Sequence, residues 1–514
     1  MGSKNPNQID FAGDYNLNGI IIQNHAGTGG NFEGAEGGVN IQSSVQELNI
    51  YEGINQNAVY GTLVLVDSIN LLANLPIQGT ERLFFRLSTP GASDADHIVD
   101  ASEETGHPFY VYKVSNKQQG SQGTLVYTIH FASREFMRNI RTKVSKAYEG
   151  KLSDMVQEII GDKEGLDSRK TLYFEETSNQ DKIVMPNITP FKAIGMIARK
   201  ALPKYGKNGA SKGAGMYFYE TTKGFYLRSW ENMCAVYGGL ARDPIQEFFY
   251  MPQNITDDQV VEDKVLHDLK SVESYKFINT FHDTAAAQAL GTYGHRVITH
   301  NLYDKSYSTT DYNYHESFND TVHADYTNEG DTDNAPAVRD NPVDFDNRGV
   351  SDYAESMITY MPTTQFLHSA DGTDDTGSYG VDVTQDGRLE GVRNAQKMQV
   401  EAGTAIRMTV KGQSYLQPGQ IISFKVRPVE PDGQTVDRKT YDPQYSGRYV
   451  ITKIRHRVTK QDYKMVLECR KDSIRENHIG NTVSNFTGTA SNENATYFEL
   501  NNDNSPGHPS NRKY

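Results

Sequence analysis

The stretch from Tyr415 to Ile474 constrains the fold of this chain more than any other. Pro418-Gly419 makes a tight turn there, because Pro fixes φ and Gly supplies positive φ at the next position. Around it lie three apolar runs: Ile421 to Phe424, Gly447 to Val458, and Tyr463 to Cys469. Ile454, His456 and Val458 alternate onto one face, as do Met465, Leu467 and Cys469, which is the period of a strand. The last two runs are predicted to pair as a hairpin across the polar break Thr459–Asp462, with the Ile421 run beside them. Nothing in the stretch is catalytic. It reads as the core of a small β-barrel.

At 514 residues the chain has room for three or four domains at roughly 100 to 200 residues each. Residues 1–132 read as a first β-barrel. Its predicted strands are Ile20–Ile22, Val45–Tyr51, Gly61–Asp67, Leu83–Leu87, Tyr110–Val114 and Thr124–Phe131, set at short spacing between turn residues. The glycine-rich loop His25–Gly38 has neither the Gly-Lys-Ser/Thr of a phosphate loop nor a dinucleotide fingerprint, so it reads as a plain loop.

Residues 133–240 change period and read as a small α/β domain. Leu152, Met155, Val156, Ile159 and Ile160 recur as one face of an amphipathic helix, with Ser153 as its expected N-cap. Thr189-Pro190 opens a second helix, as N-cap and N1, with Phe191, Ile194, Ile197, Ala198 and Ala201 on its buried face. A hairpin follows, from Met216–Glu220 through Thr221–Gly224 to Phe225–Trp230. Its alternating aromatics are what strands prefer, and a sugar-binding stripe is the weaker reading.

A second β-barrel is expected to be split between 241–300 and 391–475. Val297–Thr299 reads as a strand, Val392–Val400 as a helix and Thr404–Val410 as a strand. Between the two parts lies an acidic insertion, 301–390, with 19 Asp or Glu against 4 Lys or Arg. Its balance of −15 accounts for the chain's net charge of −14 and leaves the remainder about neutral. With little periodicity outside Tyr353–Tyr360, it reads as a long surface excursion or a segment ordered only against a partner. Residues 476–514, rich in Asn, Ser and Thr, are expected to form a flexible tail. The fold class is thus α+β, mainly β. The acidity makes the chain a poor binder of nucleic acid through phosphate neutralisation. No stretch is apolar enough for a membrane span, and Met1–Gln8 lacks a signal-peptide core. Cys234 and Cys469 stand in no metal spacing, which fits synthesis in a reducing cytoplasm.

The best metal candidate is Asp344 to Glu355, which matches a calcium loop at positions 1, 3, 6, 9 and 12. Arg348 at a ligand position, and Ser351 where an apolar residue belongs, both argue against it. His315 and His323 have no partner at helical spacing. Carboxylates abound in the insertion, yet glycoside cleavage needs one held in an apolar pocket beside a rigid second, and an aperiodic polar segment is the wrong scaffold. No Gly-x-Ser-x-Gly elbow is present. No catalytic, cofactor or metal residue is assigned, and no enzyme is expected.

The ordered set of parts carries a resemblance. Thr189-Pro190-Phe191, the hairpin Tyr217–Phe225, Leu416-x-Pro418-Gly419 and Gly447-Arg448-Tyr449-Val450-Ile451-x-x-Ile454-x-His456 occur in the order found in the central baseplate hub proteins of contractile-tailed, T-even-type phages and their cyanophage relatives. The chain resembles that family from Val45 to Ile474, most of the acidic insertion excepted. The resemblance implies a homotrimer in which each chain supplies two barrels, so that six barrels match a threefold central spike to a sixfold tail tube around a DNA channel. It implies protein partners: the tube or its initiator, a spike that often bears lysozyme, and wedge or tape-measure proteins. It implies a place in the virion and no cofactor. Secretion spikes share the architecture but continue into a needle, and no β-helix repeat is visible before Tyr514. A glycan-cleaving tail enzyme and an adhesin-like protein are the competing readings.

Overall fold

The structure is a computed structural model. It describes residues 9–475 apart from 10, 33–36, 76, 92–97, 103–106, 121–122, 208, 237–238, 251–263, 303–304, 306, 328–333, 342–346, 364–382, 428–440 and 443. The elements that matter here are, in chain order, β1 (Asn16–Gln23), β2 (Val45–Gly53), β3 (Tyr60–Asp67), β4 (Arg82–Ser88), β5 (Phe109–Gln119), β6 (Leu125–Ser133), α1 (Leu152–Gly161) and α2 (Pro190–Lys200). Then come β7 (Met216–Thr221), β8 (Gly224–Ser229), β9 (Gln246–Phe249), β10 (Val272–Asn279), β11 (Gly294–Asn301), β12 (Tyr307–Asn313), β13 (Ile358–Thr363) and α3 (Val383–Ala402). β14 (Thr404–Lys411), β15 (Ile421–Lys425), β16 (Gly447–Thr459) and β17 (Tyr463–Lys471) complete the set. No helix among the described residues is long and apolar enough to cross a membrane.

The turn at Pro418-Gly419 forms as read: Gly419 has φ +82° and donates its N–H to Ile451 O at 2.8 Å. β16 and β17 form the hairpin, and Ile454, His456, Val458, Met465, Leu467 and Cys469 are all buried on its inner face. β15 pairs with the start of β16. The Pro-Gly turn, the hairpin and its neighbour are thus placed as their residue pattern dictates.

Two separate closed barrels do not appear among the described strands. Strands from both β regions share one 14-stranded sheet, which among the described residues does not close on itself. The physical reason is the length of β16. Its 13 residues outrun β15, which covers only Gly447–Val450, and the uncovered part, Lys453–Thr459, pairs antiparallel with β2. A strand from each region thereby shares one ladder. Their apolar residues accordingly merge into one core, in which Leu63, Phe85 and Phe131 from the first region join Ile406, Phe424 and Met465 from the second.

Within that sheet the six-strand order β2-β3-β6-β5-β4-β1 is repeated as β10-β14-β17-β16-β15-β9. The correspondence preserves chain order throughout: β1 with β9, β2 with β10, β3 with β14, β4 with β15, β5 with β16, β6 with β17. The irregularities repeat as well. β5 slips against β6 between Val111 and Lys113, and β16 slips against β17 between Ile451 and Lys453. β2 slips against β3 between Val45 and Glu47, and β10 slips against β14 between Val272 and Ser274. A β-bulge is a specific local event, so two coincident bulges mark the halves as copies of one unit. The last pair departs from the rule, since β1 meets β4 antiparallel whereas β9 meets β15 parallel.

Between the repeats, α1 and α2 pack on the β7–β8 hairpin over a core that contains Met155, Ile159, Ile194, Ile197, Phe218 and Phe225. Thr189 is the N-cap and Pro190 the first residue of α2, as expected. Ser153 is not the N-cap of α1. That position falls to Lys151, while Ser153 is buried and donates its backbone N–H to Thr177 Oγ1 at 3.0 Å. The predicted strand at Val297–Thr299 forms as part of β11, but it lies outside the large sheet, flanked by β12 and β13. The predicted helix at Val392–Val400 is part of the longer α3. Residues 476–514, read as a tail, lie outside the described residues.

Candidate interaction surface

The acidic insertion is neither aperiodic nor detached where it is described. β12 and β13 flank β11, and Tyr314, Phe318 and Val350 bury themselves with Tyr293. Deeper in, the segment His323-Ala324-Asp325 inserts under β17. Asp472 accepts hydrogen bonds from Ala324 N at 2.9 Å and Trp230 Nε1 at 2.9 Å, and it holds His323 Nδ1 at 2.8 Å. His323 Nε2 lies 2.9 Å from Phe318 O. Burial opposes a charge on this imidazole, but the Asp472 carboxylate outweighs it and lifts the pKa above the usual histidine value. Asp325 lies 3.2 Å from Lys471 Nζ, accepts from Arg448 N at 2.6 Å, and its own N–H meets Ser473 Oγ at 3.1 Å. Burial raises the pKa of Asp325 and lowers that of Lys471, each against the pull of the other's charge. A lysine and an aspartate wholly removed from water are tolerable only as such a pair.

A second buried network joins the α/β region to the first repeat. Glu220 accepts from Val59 N at 2.8 Å and Ser133 Oγ at 2.6 Å, and it contacts Lys170, which also pairs with Glu135 at 3.2 Å. Glu175 accepts from Ser229 N at 2.8 Å, and burial pushes its carboxyl up to about 7. Each of these carboxylates faces partners of the scaffold.

A cleft of about 440 Å³ lies between α2, β7 and α3. Its described lining includes Tyr217, Trp230, Arg199, Arg393 and Lys397 and no carboxylate. A pair of acids for glycoside cleavage is therefore not assembled there. Of the calcium-loop candidate, Asp344 and Asp346 lie outside the described residues. Arg348 reaches Asp352 O and comes within 3.4 Å of Glu355 Oε2, so a cation already occupies that side of the loop. His315 turns inward to Ser351 Oγ and to Val338 O at 2.7 Å. Among the described residues no group of three or more His, Cys, Asp or Glu is placed to hold a metal. Both cysteines are buried, and burial raises both thiol pKa values.

What the molecule offers most distinctly is its strand ladder. Across the β16–β2 seam the inner face is apolar apart from Glu52 and His456, whose Oε1 and Nε2 lie 3.3 Å apart. The outer face is charged. Arg457 grips Glu47 Oε2 at 2.9 and 3.0 Å, and Arg455 donates to Asn49 Oδ1 at 2.9 Å and Glu47 Oε1 at 3.2 Å. Burial works to raise the Glu47 pKa, but Asn49 and the two guanidinium groups hold it below the usual carboxylate value. Sequence reading located both strands but not their meeting, because nothing local in Val45–Gly53 or Gly447–Thr459 names the partner.

The solved structures to which the chain is similar include phage tail proteins. A tail protein from Neisseria meningitidis aligns at 10% identity and TM-score 0.46 over 89% of this chain and 97% of its own. The 43 kDa tail protein of prophage MuSo2 from Shewanella oneidensis aligns at 8% identity and TM-score 0.46, over 89% of this chain and 100% of its own. The E. coli c3393 protein, a type VI secretion component described as structurally similar to the T4 tail proteins gp27 and gp5, aligns at 10% identity and TM-score 0.37 over 85% and 75%. No family model matches the chain, and no curated protein matches it.

Proposed function

We propose that this chain is the structural hub of a phage-type tail baseplate. In this reading it is a homotrimer whose six β units form a ring that matches a threefold central spike to a sixfold tail tube and leaves a channel for DNA. The observation that carries it is the pair of six-strand repeats, matched down to two bulges, inside one chain. A chain with two equivalent building blocks presents six of them when three copies meet, which is what a symmetry adaptor requires. The order of sequence motifs that resembles the T-even-type hubs agrees with it. The partners are then the tube or its initiator, the spike, and wedge or tape-measure proteins. No catalytic step is assigned to the chain, and its place is the virion tail.

The test is the shape and mass of the assembled protein. Light scattering and class-averaged electron micrographs of the purified chain, alone and with its spike, should give a trimeric annulus with six lobes. A monomer in solution and in the assembled particle overturns the reading.

A further inference from the structure

The internal seam is not symmetric, and that asymmetry has a consequence for assembly. β16 is the fifth strand of its repeat in chain order and β2 is the second of the other. A contact between two different strands of equivalent units is heterologous, and heterologous contacts propagate until a ring closes or a filament forms. The strands that would make the next such contact are the counterparts, β5 of the first repeat and β10 of the second.

Both of these edges are open among the described residues. β4 covers β5 only at Phe109 and Tyr110, just as β15 covers only the start of β16. Beyond that point β16 has β2 beside it, and β5 has no strand. β10 pairs with β14 alone. The side chains tell the same story. Leu48, Ile50 and Ile454 are buried at the seam, whereas their counterparts Tyr275, Phe277 and Val114 are only half-buried. Ile278 on β10 is 43% exposed. A long open edge with apolar residues is a template for another strand, and proteins rarely leave one uncovered.

We infer that β5 of one copy pairs antiparallel with β10 of the next copy, repeating the β16–β2 seam between molecules and closing the ring head to tail. The number of copies rests on the trimer reading above; the edge pairing itself rests on the repeat. Aligning the shared bulges sets Ser115 where Arg455 stands, and a further slip of β10 against β14 between Phe277 and Asn279 brings Asn279 to the ladder place of Tyr51; Arg455 and Tyr51 face each other across the seam. Ser115 of one copy therefore lies opposite Asn279 of the next. Just past Ser115, β5 slips again, with Asn116 at φ +54°, and this bulge limits the register in which a second strand can dock. The Arg457–Glu47 pair has no counterpart, because Gln118 and Ser274 fall at those ladder positions. The contact between copies consequently depends on backbone hydrogen bonds and apolar side chains, and it tolerates salt.

Directly opposed residues of an antiparallel pair have Cβ atoms about 4.5 to 5.5 Å apart, close enough for a disulfide after small adjustment. The full-length variants S115C and N279C are oxidised separately and as a mixture, with the intramolecular pair Y51C/R455C as control. The native thiols are buried and stay silent. Linked dimers in the mixture alone, and a covalent ladder ending at the closed ring for S115C/N279C, are expected at low and high salt alike. On the unmodified chain, hydrogen exchange should slow across Ser274–Ile278 and Val114–Gln119 as the oligomer forms. Linked dimers from one single variant alone overturn the head-to-tail pairing. Oligomers by light scattering with neither linkage nor slowed exchange overturn the edge contact and leave the trimeric ring standing. Monomers at every soluble concentration overturn both.

Discussion

At single positions the chain is specified by geometry that only one residue type satisfies. Gly419 sits at φ +82°, and a Cβ there would press on the wholly buried Tyr219 hydroxyl. Gly419→Val is therefore expected to lower stability by about 2 kcal/mol or more, read by denaturant unfolding, because left-handed backbone and the clash add. Glu175 behaves differently. Its folded pKa of about 7 stands above the ordinary glutamate value of 4.5, so the folded state binds its proton more tightly. The stability tied to that proton is fully present below about pH 4.5 and is lost as pH rises through about 7. Glu175→Gln keeps an acceptor for Ser229 N and cannot ionise. Its melting temperature should exceed that of the unaltered chain above pH 7, by an amount worth about 1–3 kcal/mol, with the gap closing as pH falls towards 5. An equal gap at both pH values would mean that Glu175 does not change protonation on folding.

At the scale of elements, what was legible depended on whether the signal was local. The α2 start at Thr189-Pro190, the Pro418-Gly419 turn and the alternation of Ile454, His456 and Val458 are set by neighbours in sequence, and each formed as read. The seam was not legible, since the partner of β16 lies about 400 residues away and pairing energy has no local signature. The bulges that reveal the repeat were hidden for the same reason. Nor did the acidic composition of 301–390 disclose that Asp325 would be buried, because composition argues for solvent while one lysine in an apolar strand argues for a partner. That pair makes a sharp test. Lys471→Met leaves Asp325 buried with its charge uncompensated and should cost about 3–5 kcal/mol, whereas the double variant Lys471→Met, Asp325→Leu should recover most of the loss. A double-mutant cycle by chemical denaturation reads the coupling directly. By contrast, Glu47→Ala removes only the half-exposed outer ladder of the seam, and its effect on stability should stay within about 1 kcal/mol and shrink further in salt.

At the scale of the whole molecule, the acidic segment decides between two pictures of the protein. An adhesin-like reading makes it an appendage that could be removed with the scaffold intact. The structure ties it to the scaffold at its most sensitive points. His323 and Ala324 engage Asp472, Asp325 neutralises Lys471, Val322 N donates to the buried Glu231 at 3.0 Å, and Ala335–Pro336 pairs with Ser473–Ile474 just past β17. Replacing 302–357 by a short Gly-Ser linker would leave Lys471, Asp472 and Glu231 with fewer partners in a dry interior, and each orphaned polar group costs about 1–3 kcal/mol, more when charged. Summed over three such groups, all of them charged residues, that loss approaches the 5–15 kcal/mol that holds a typical domain together. The deletion is therefore expected to abolish cooperative unfolding of the large sheet, followed by near-ultraviolet circular dichroism, and ring formation with it. A shorter deletion of 364–380, which spares all of these contacts, serves as the control that should fold. If the longer deletion melts cooperatively within a few degrees of the full chain, the segment is an appendage after all, and the hub would have to be built from the two repeats and the α/β region alone.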